Sequence, residues 1–268
     1  MTAGRPFSLD LDATPYSYVE RANNVLVSLV DKYLDKAPSP AAILDVGCGC
    51  GGNARAMRTG HPEVKLVGIE PNARAAELAS EVCDDVYRGE VDGWLQKGVD
   101  QGGSARKFDI VVLADVLEHI AHPVAFLRSL VASPQLKDAY WVISVPNYAV
   151  WYNRLSTLFG RFEYTWSGLR DRTHLRFYTR RSVQRLLREC GFAILEDRCS
   201  PSIVQSAAPV LRRLFDKDVS EGNHLALGES SAYRVYEKAI EPFETAACQI
   251  WPELLGFQIV TVAKLNAG

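Results

Sequence analysis

No stretch of the 268-residue sequence approaches the roughly 20 consecutive apolar residues that a membrane-spanning helix needs. Met1–Asp12 lacks a basic segment followed by an apolar run, so no secretory signal is read there. An excess of one charge sign is missing too. A net charge of -2 and a pI of about 6.2 give no long-range attraction to nucleic acid or to an anionic membrane, and leave only a local basic patch to consider. The six cysteines are scattered, and the one close pair, Cys48 and Cys50, has no second pair to complete a zinc site. They read as reduced thiols in a cytoplasmic protein. Internal repeats and low-complexity tracts are also absent.

What is present is an ordinary globular mixture, 47% hydrophobic and 23% charged, long enough for one large domain or a domain with a cap. Short apolar runs alternate with helical patterns, the signature of βαβ units and a parallel sheet. The runs are 42–46, 64–69, 85–91, 108–114 and 140–145, the last stopped by Pro146. Continuous apolar runs suit strands covered on both faces. Helical spacing recurs over 18–34, 72–82 and 123–131, while 97–107 is polar and glycine-rich and reads as a surface loop. After Pro146, Trp151, Phe159, Phe162, Tyr164 and Trp166 crowd a segment without a clean period. An amphipathic helix over 180–190 follows, closed by Gly191. A sixth strand is expected over 192–199, mainly helical chain over 201–250, and a last apolar strand over 257–264. The expectation is a single domain over 1–268, with 1–40 as an N-terminal helical lid and 147–179 and 201–255 as cap insertions.

The glycine-rich turn after the first strand carries the first functional signal. Glycines there let the backbone turn sharply and approach a ligand, and the following helix presents free N–H groups. Gly47, Gly49 and Gly52 satisfy the G-x-G-x-x-G of dinucleotide dehydrogenases. Gly47, Gly49 and Gly51, with Asp45 two residues ahead, equally fit a G-x-G-x-G loop. Glu70 ends the second strand about twenty residues on, where an acid holds a ribose in both cases.

Downstream residues separate these readings. Residues 43–51, Gly68-Ile69-Glu70-Pro71, 108–119 and 168–179 together resemble class I S-adenosylmethionine-dependent methyltransferases. Within them the similarity is to the branch that includes ubiquinone-biosynthesis O-methyltransferases and to small-molecule and sugar-linked members. The resemblance runs from about residue 40 to 200. It implies a doubly wound α/β fold, a seven-stranded mostly parallel sheet in the order 3-2-1-4-5-7-6 with an antiparallel last strand. It also implies S-adenosylmethionine as cofactor. On this resemblance Glu70 accepts the ribose hydroxyls, followed by Pro71. Gly47, Cys48, Gly49 and Gly51 hold the amino-acid end above Asp45. Glu90 and Val91 meet the adenine, and Asp115 and Val116 line the cleft. Asp115 reads equally as a helix N-cap.

A hydroxyl acceptor must lose a proton, and histidine suits that near neutral pH. Of the five histidines, His61 and His224 sit in polar loops and His122 precedes Pro123, whereas His119 and His174 lie in the family motifs. His174 is the favoured base and His119 the second candidate; the alternative for His174 is packing, with Asp171, Arg172 and Arg176 stapling a cap. Asp115, Glu118 and His119 at i, i+3, i+4 would share a helical face able to hold Mg²⁺, but a capped helix start with a solvated acid is preferred. Of the basic run Arg170, Arg172, Arg176, Arg180, Arg181, Arg185 and Arg188, most reads as the wet face of the 180–190 helix, while Arg170, Arg172 and Arg176 precede it and suit an acidic or phosphorylated acceptor. The reading is therefore base-assisted methyl transfer to a small-molecule hydroxyl on a natural product or glycan precursor, without nucleic acid or membrane partner; a homodimer stays open. The alternatives are an N- or C-acceptor, or a non-catalytic cofactor-binding scaffold.

Overall fold

The computed structural model describes residues 22–38, 40–100, 107–165, 168–201 and 241–266. Several expectations fall outside them: residues 1–21 and 39 of the lid, 202–240 of the later insertion with His224, the 101–106 part of the glycine-rich loop, and Trp166.

One sheet of seven strands runs in the order β3-β2-β1-β4-β5-β7-β6. The strands are β1 (Ala42–Val46), β2 (Lys65–Glu70), β3 (Asp85–Arg88), β4 (Ile110–Ala114), β5 (Tyr140–Pro146), β6 (Phe192–Pro201) and β7 (Gly256–Leu265). This is the expected α/β class and the expected order. By contact the chain falls into two compact units, drawn from Met1–Ala114 with Arg128–Tyr140 and from Asp115–Leu127 with Trp141–Gly268.

In the first unit β1 pairs parallel with β2 and β4, and β2 with β3. All five residues of β1 are buried, which explains why its sequence does not alternate. Helix α1 (Asn24–Leu34) covers this sheet with Leu26, Leu29 and Val30, each essentially inaccessible and each worth about 2 kcal/mol of burial. It starts at Asn24 because the Asn23 side chain accepts the Leu26 N–H at 3.1 Å, an N-cap that satisfies one orphan donor. Helix α2 (Gly52–Gly60) turns Ala54 and Met57 inward, and α3 (Ala73–Ala79) uses Ala75, Ala76 and Ala79. Three alanines let α3 approach β2 and β3 closely. Helix α4 (Val91–Asp100) was not expected, and its last turn corrects the reading of 97–100 as loop. Gly93 and Gly98 lower its intrinsic propensity, but Trp94 packs against Phe108 as a tilted ring pair with centres 6.0 Å apart, so tertiary packing overrides composition.

In the second unit β6 and β7 pair antiparallel along ten residues each, with irregularities at Ile194/Glu196 and Ser200/Pro201. Trp141 of β5 meets Phe192 of β6 edge to face at 5.1 Å, both fully buried. Helix α5 (Pro123–Val131) begins in this unit. Helix α7 (Arg180–Glu189) opens with a capping box between Thr179 and Ser182 and closes at Gly191, whose φ of 90° is left-handed. Helix α6 (Trp151–Leu158) lies in the segment where no period was read. Helix α8 (Glu241–Ile250) and the single turn α9 (Pro252–Leu255) lead into β7.

Candidate functional site

In the first unit the chain leaves β1 at Val46 and enters three left-handed turns, Gly47 (φ 73°), Gly49 (φ 54°) and Gly51 (φ 81°). A side chain at any of the three would strain the backbone. A Cβ on Gly51 would also meet the Ala79 Cα at 3.2 Å, because the end of α3 packs against the loop. Gly68 in β2 is needed for a different reason: a Cβ there would lie 2.6 Å from the Cys48 Sγ.

Glu70 organises this loop. Its Oε2 accepts the Gly49 N–H at 2.9 Å and its Oε1 accepts the Asn72 N–H at 2.9 Å, in a residue only 4% exposed. Asn72 in turn caps α3 through the Ala75 N–H. The Glu70 carbonyl accepts the Gly89 N–H at 3.0 Å, which brings residues 89–91 to the same edge. Glu90 and Pro71 are exposed there and Val91 is buried.

Asp45 lies beneath the loop, 2% exposed, and neither carboxyl oxygen has a partner among the described residues. Burial, and secondarily the Glu70 charge, push its pKa up to about 7. A raised folded-state pKa means that this group favours folding below the unfolded value of 3.8 and loses that contribution as pH rises through about 7. Asp45→Asn is therefore expected to stabilise the free protein at pH 8 by about 2 kcal/mol, with the gain shrinking as pH falls. Thermal melts of both proteins across that range check it; a gain independent of pH would sink the assignment.

In the second unit Asp115 has a φ of 55°, and among the described residues no other non-glycine is left-handed. It does not cap a helix. Its N–H donates to the Ser144 carbonyl at 3.2 Å, the Ser144 hydroxyl donates to its Oδ1 at 3.0 Å, and the Gln258 amide donates to its Oδ2. Burial raises its pKa to about 6 against the pull of those two hydrogen bonds. Val116 follows, half-buried, and leads into a 3₁₀ turn, Leu117–His119.

This turn is tied to residues 169–178. The Glu118 carbonyl accepts the N–H groups of Leu175 (2.8 Å) and Arg176 (3.0 Å), and the Tyr178 hydroxyl donates to the Leu117 carbonyl at 3.3 Å. Asp171 braces the 169–178 segment by accepting the Thr173 N–H and hydroxyl at 2.8 and 2.7 Å. The result is a pair of imidazoles, His119 and His174, with ring centres 4.9 Å apart. His119 Nδ1 lies 3.2 Å from the Thr173 carbonyl and His174 Nδ1 lies 3.3 Å from the Leu169 carbonyl. A carbonyl only accepts, so each Nδ1 carries the proton and the lone pair sits on Nε2. Burial lowers both pKa values; for His174 the neighbouring His119 lowers it further.

Glu118 completes the group. It is 1% exposed, its carboxyl oxygens have no partner among the described residues, and burial, then Asp115, raise its pKa well above the carboxylate range. Ligand atoms of Glu118, His119 and His174 lie within 4.8 Å of one another. The i, i+3, i+4 set weighed as a possibility is thus not the one assembled, and the preferred capped helix start with a solvated acid is corrected too, since Glu118 is buried and Asp115 caps no helix. The 3₁₀ turn and the left-handed Asp115 direct that carboxylate to Ser144 and Gln258, and His174 takes its place. One carboxylate with two imidazoles departs from the all-oxygen octahedral shell Mg²⁺ demands.

Sequence reasoning missed Ser144, Gln258, Asn72 and the carbonyls of Leu169 and Thr173. Only Asn72 carried a signal, as an N-cap ahead of an apolar helical pattern. His61 bonds Asp31 at 3.2 Å in the first unit and takes no part here. Arg176 donates to the Ala121 carbonyl and Arg170 to the Ser156 hydroxyl, so both are partly engaged in packing.

Comparison with known proteins agrees with this architecture. The chain is 31% identical over 109 residues to a malonyl-[acyl-carrier protein] O-methyltransferase of Halalkalibacterium halodurans, covering 39% of this chain and 40% of that protein. It is 32% identical over 112 residues to the mitochondrial ubiquinone biosynthesis O-methyltransferase of Mus musculus, covering 40% and 29%. The alignments thus span less than half of either relative. In structure it is similar to an S-adenosylmethionine-dependent methyltransferase of Archaeoglobus fulgidus (TM-score 0.53, 15% identity, covering 90% and 93% of the two chains). It is also similar to the plantazolicin methyltransferase BamL, solved with S-adenosylhomocysteine (TM-score 0.51, 15% identity, covering 91% and 84%). A family model described as a methyltransferase domain matches residues 18–197, well over half of the sequence, from ahead of α1 into β6, and the chain belongs to that family.

Proposed function

We propose that the chain binds S-adenosylmethionine at the Gly47–Gly51 loop and transfers its methyl group to a hydroxyl of a small molecule, with His174 as the general base. The observation that carries the reading is the clamp of Glu70 on the Gly49 N–H at 2.9 Å, which sets a buried acid against three left-handed glycines at the end of β2. Support for the cofactor comes from the family and from the S-adenosylhomocysteine in the plantazolicin enzymes. Support for oxygen as acceptor comes from the names of the two sequence relatives and from the neutral His174 imidazole.

The bound cofactor supplies an electrophilic methyl on a sulfonium. Glu70 accepts hydrogen bonds from the ribose hydroxyls, and Asp45 supports the loop from below. Glu90 and Val91 face the adenine, and Asp115 and Val116 border the cofactor. His174 Nε2 takes the acceptor proton, while burial and then His119 keep the imidazole neutral and the Leu169 carbonyl orients it through Nδ1. We take a small molecule as acceptor and, on the six free cysteines, the cytoplasm as compartment.

The test is incubation of the full chain with methyl-labelled S-adenosylmethionine and a panel of hydroxy, amino and carbon acceptors. Label is expected in an ether. Label in an amine or on carbon overturns the acceptor assignment, and absence of affinity for S-adenosylhomocysteine in calorimetry overturns the cofactor assignment.

A further inference from the structure

The second unit carries a helix turned inside out. Trp151, Leu155, Leu158 and Phe159 recur at i, i+4, i+7 and i+8 and so form one face of α6 and its C-cap. That face points to water: the four are 38%, 49%, 78% and 70% exposed, while the buried residue of the helix is Asn153. The apolar surface continues past Gly160 into Phe162 and Tyr164, 41% and 50% exposed, whose rings lie 5.3 Å apart. Beside it a groove of about 410 Å³ is lined by Tyr148, Ala149, Arg154, Thr157 and Leu158. A soluble domain rarely leaves its large aromatic and aliphatic side chains on one contiguous face without an occupant.

The charge around this face is as uneven as its polarity. Residues 150–181 hold seven arginines and two acids, in a chain whose net charge is -2. Arg154 and Arg161 flank the apolar stripe, both exposed, while Arg180 and Arg181 at the start of α7 are ion-paired with Asp197 and, at 3.4 Å, with Glu253. An exposed Trp/Leu/Phe stripe bordered by arginine is the make-up of a helix that lies in a bilayer interface. Apolar side chains enter the acyl boundary and guanidinium groups meet lipid phosphates. A second copy of the chain fits this face poorly, since a two-fold contact would set these arginines against themselves.

We propose that α6 and the 159–164 segment form a docking surface for an anionic lipid bilayer, on which the protein rests peripherally. No described helix is long and apolar enough to cross a membrane, and the surface needs none. The expectation of no membrane partner followed from the spanning-helix criterion and from whole-chain charge, and neither describes a local patch. This inference does not rest on methyl transfer.

The test is flotation of the full chain with phosphatidylcholine vesicles, with and without phosphatidylglycerol. Association is expected to be at least about tenfold stronger with phosphatidylglycerol and to weaken as salt rises. L158D/F159D is expected to lower it at least about tenfold, and R154Q/R161Q to remove most of its dependence on phosphatidylglycerol. Both variants should keep the wild-type melting profile and S-adenosylhomocysteine affinity, which separates a lost surface from a lost fold. Absence of lipid-dependent association by the wild-type chain overturns the proposal. So does equal binding by all three proteins. Sedimentation showing a wild-type dimer that L158D/F159D dissolves would assign the face to a second copy instead.

Discussion

Glu70→Gln is expected to lower affinity for S-adenosylmethionine about 100-fold, measured by titration calorimetry against the wild-type chain. The carboxylate accepts one backbone N–H on each oxygen, from Gly49 and from Asn72. An amide of the same shape keeps one acceptor and turns a donor toward the other N–H. A hydrogen bond to a charged group is worth about 1.5–3 kcal/mol, and a buried donor left facing a donor costs a similar amount. A loss near 3 kcal/mol corresponds to about two decades of affinity. The Gly49 contact makes the effect larger than a sugar contact alone, because the loop that must receive the cofactor loses its anchor as well. Circular dichroism should show a folded protein, and S-adenosylhomocysteine should lose affinity in parallel. Binding within a few-fold of wild type would show that the carboxylate neither grips the sugar nor sets the loop.

His174→Ala should reduce turnover about 10²–10³-fold while cofactor affinity changes by less than about twofold. The pH profile carries the more specific signature. The active form of His174 is neutral, and burial holds its pKa below the ordinary 6.5, with His119 adding to the depression. Turnover should therefore be level through neutral pH and fall on the acid side, below 6.5. In His119→Ala the second imidazole is gone, so the acid limb should move to higher pH while the plateau stays within about tenfold. A merely structural role for His119 would not move the limb in that direction. Both histidines also make the fold acid-sensitive. Between their lowered folded values and 6.5 the unfolded chain binds protons that the folded one refuses, so stability falls as pH falls through that window. An unshifted turnover in His174→Ala, or an acid limb that ignores His119, would remove the imidazole pair from the chemistry.

The glycine loop and Glu70 were legible because their chemistry is local. A turn that needs positive φ selects glycine, and an acid at the end of the next strand lies a fixed distance along the chain from it. The strands were legible for a similar reason, since β1 and β4 are buried on both faces and read as unbroken apolar runs. Their order was not; it entered only through resemblance, because no run of residues encodes which strand lies beside which. The second residue group shows where reading along the chain stops. His119 reaches its partner carbonyl across 54 positions, and Gln258 reaches Asp115 across 143. The i, i+3, i+4 spacing suggested a helical face, but a left-handed Asp115 held by Ser144 breaks that face before it forms. Helix α6 escaped notice for the opposite reason. Its apolar spacing is regular, but Trp151 and Phe159 are embedded among other aromatics, and a stripe facing outward does not answer to the burial that periodicity normally reports.

Strand β7 follows β5 and β6 in the chain but is inserted between them in the sheet, running antiparallel to β6. During synthesis this gives the second unit a waiting period. Until Gly256–Leu265 has left the ribosome, β5 and β6 stand with a strand-wide gap and two bare rows of amide and carbonyl groups facing it. Such a gap is an invitation to any extended peptide nearby, so a nascent chain cut off before residue 256 should engage chaperones or aggregate instead of folding in part.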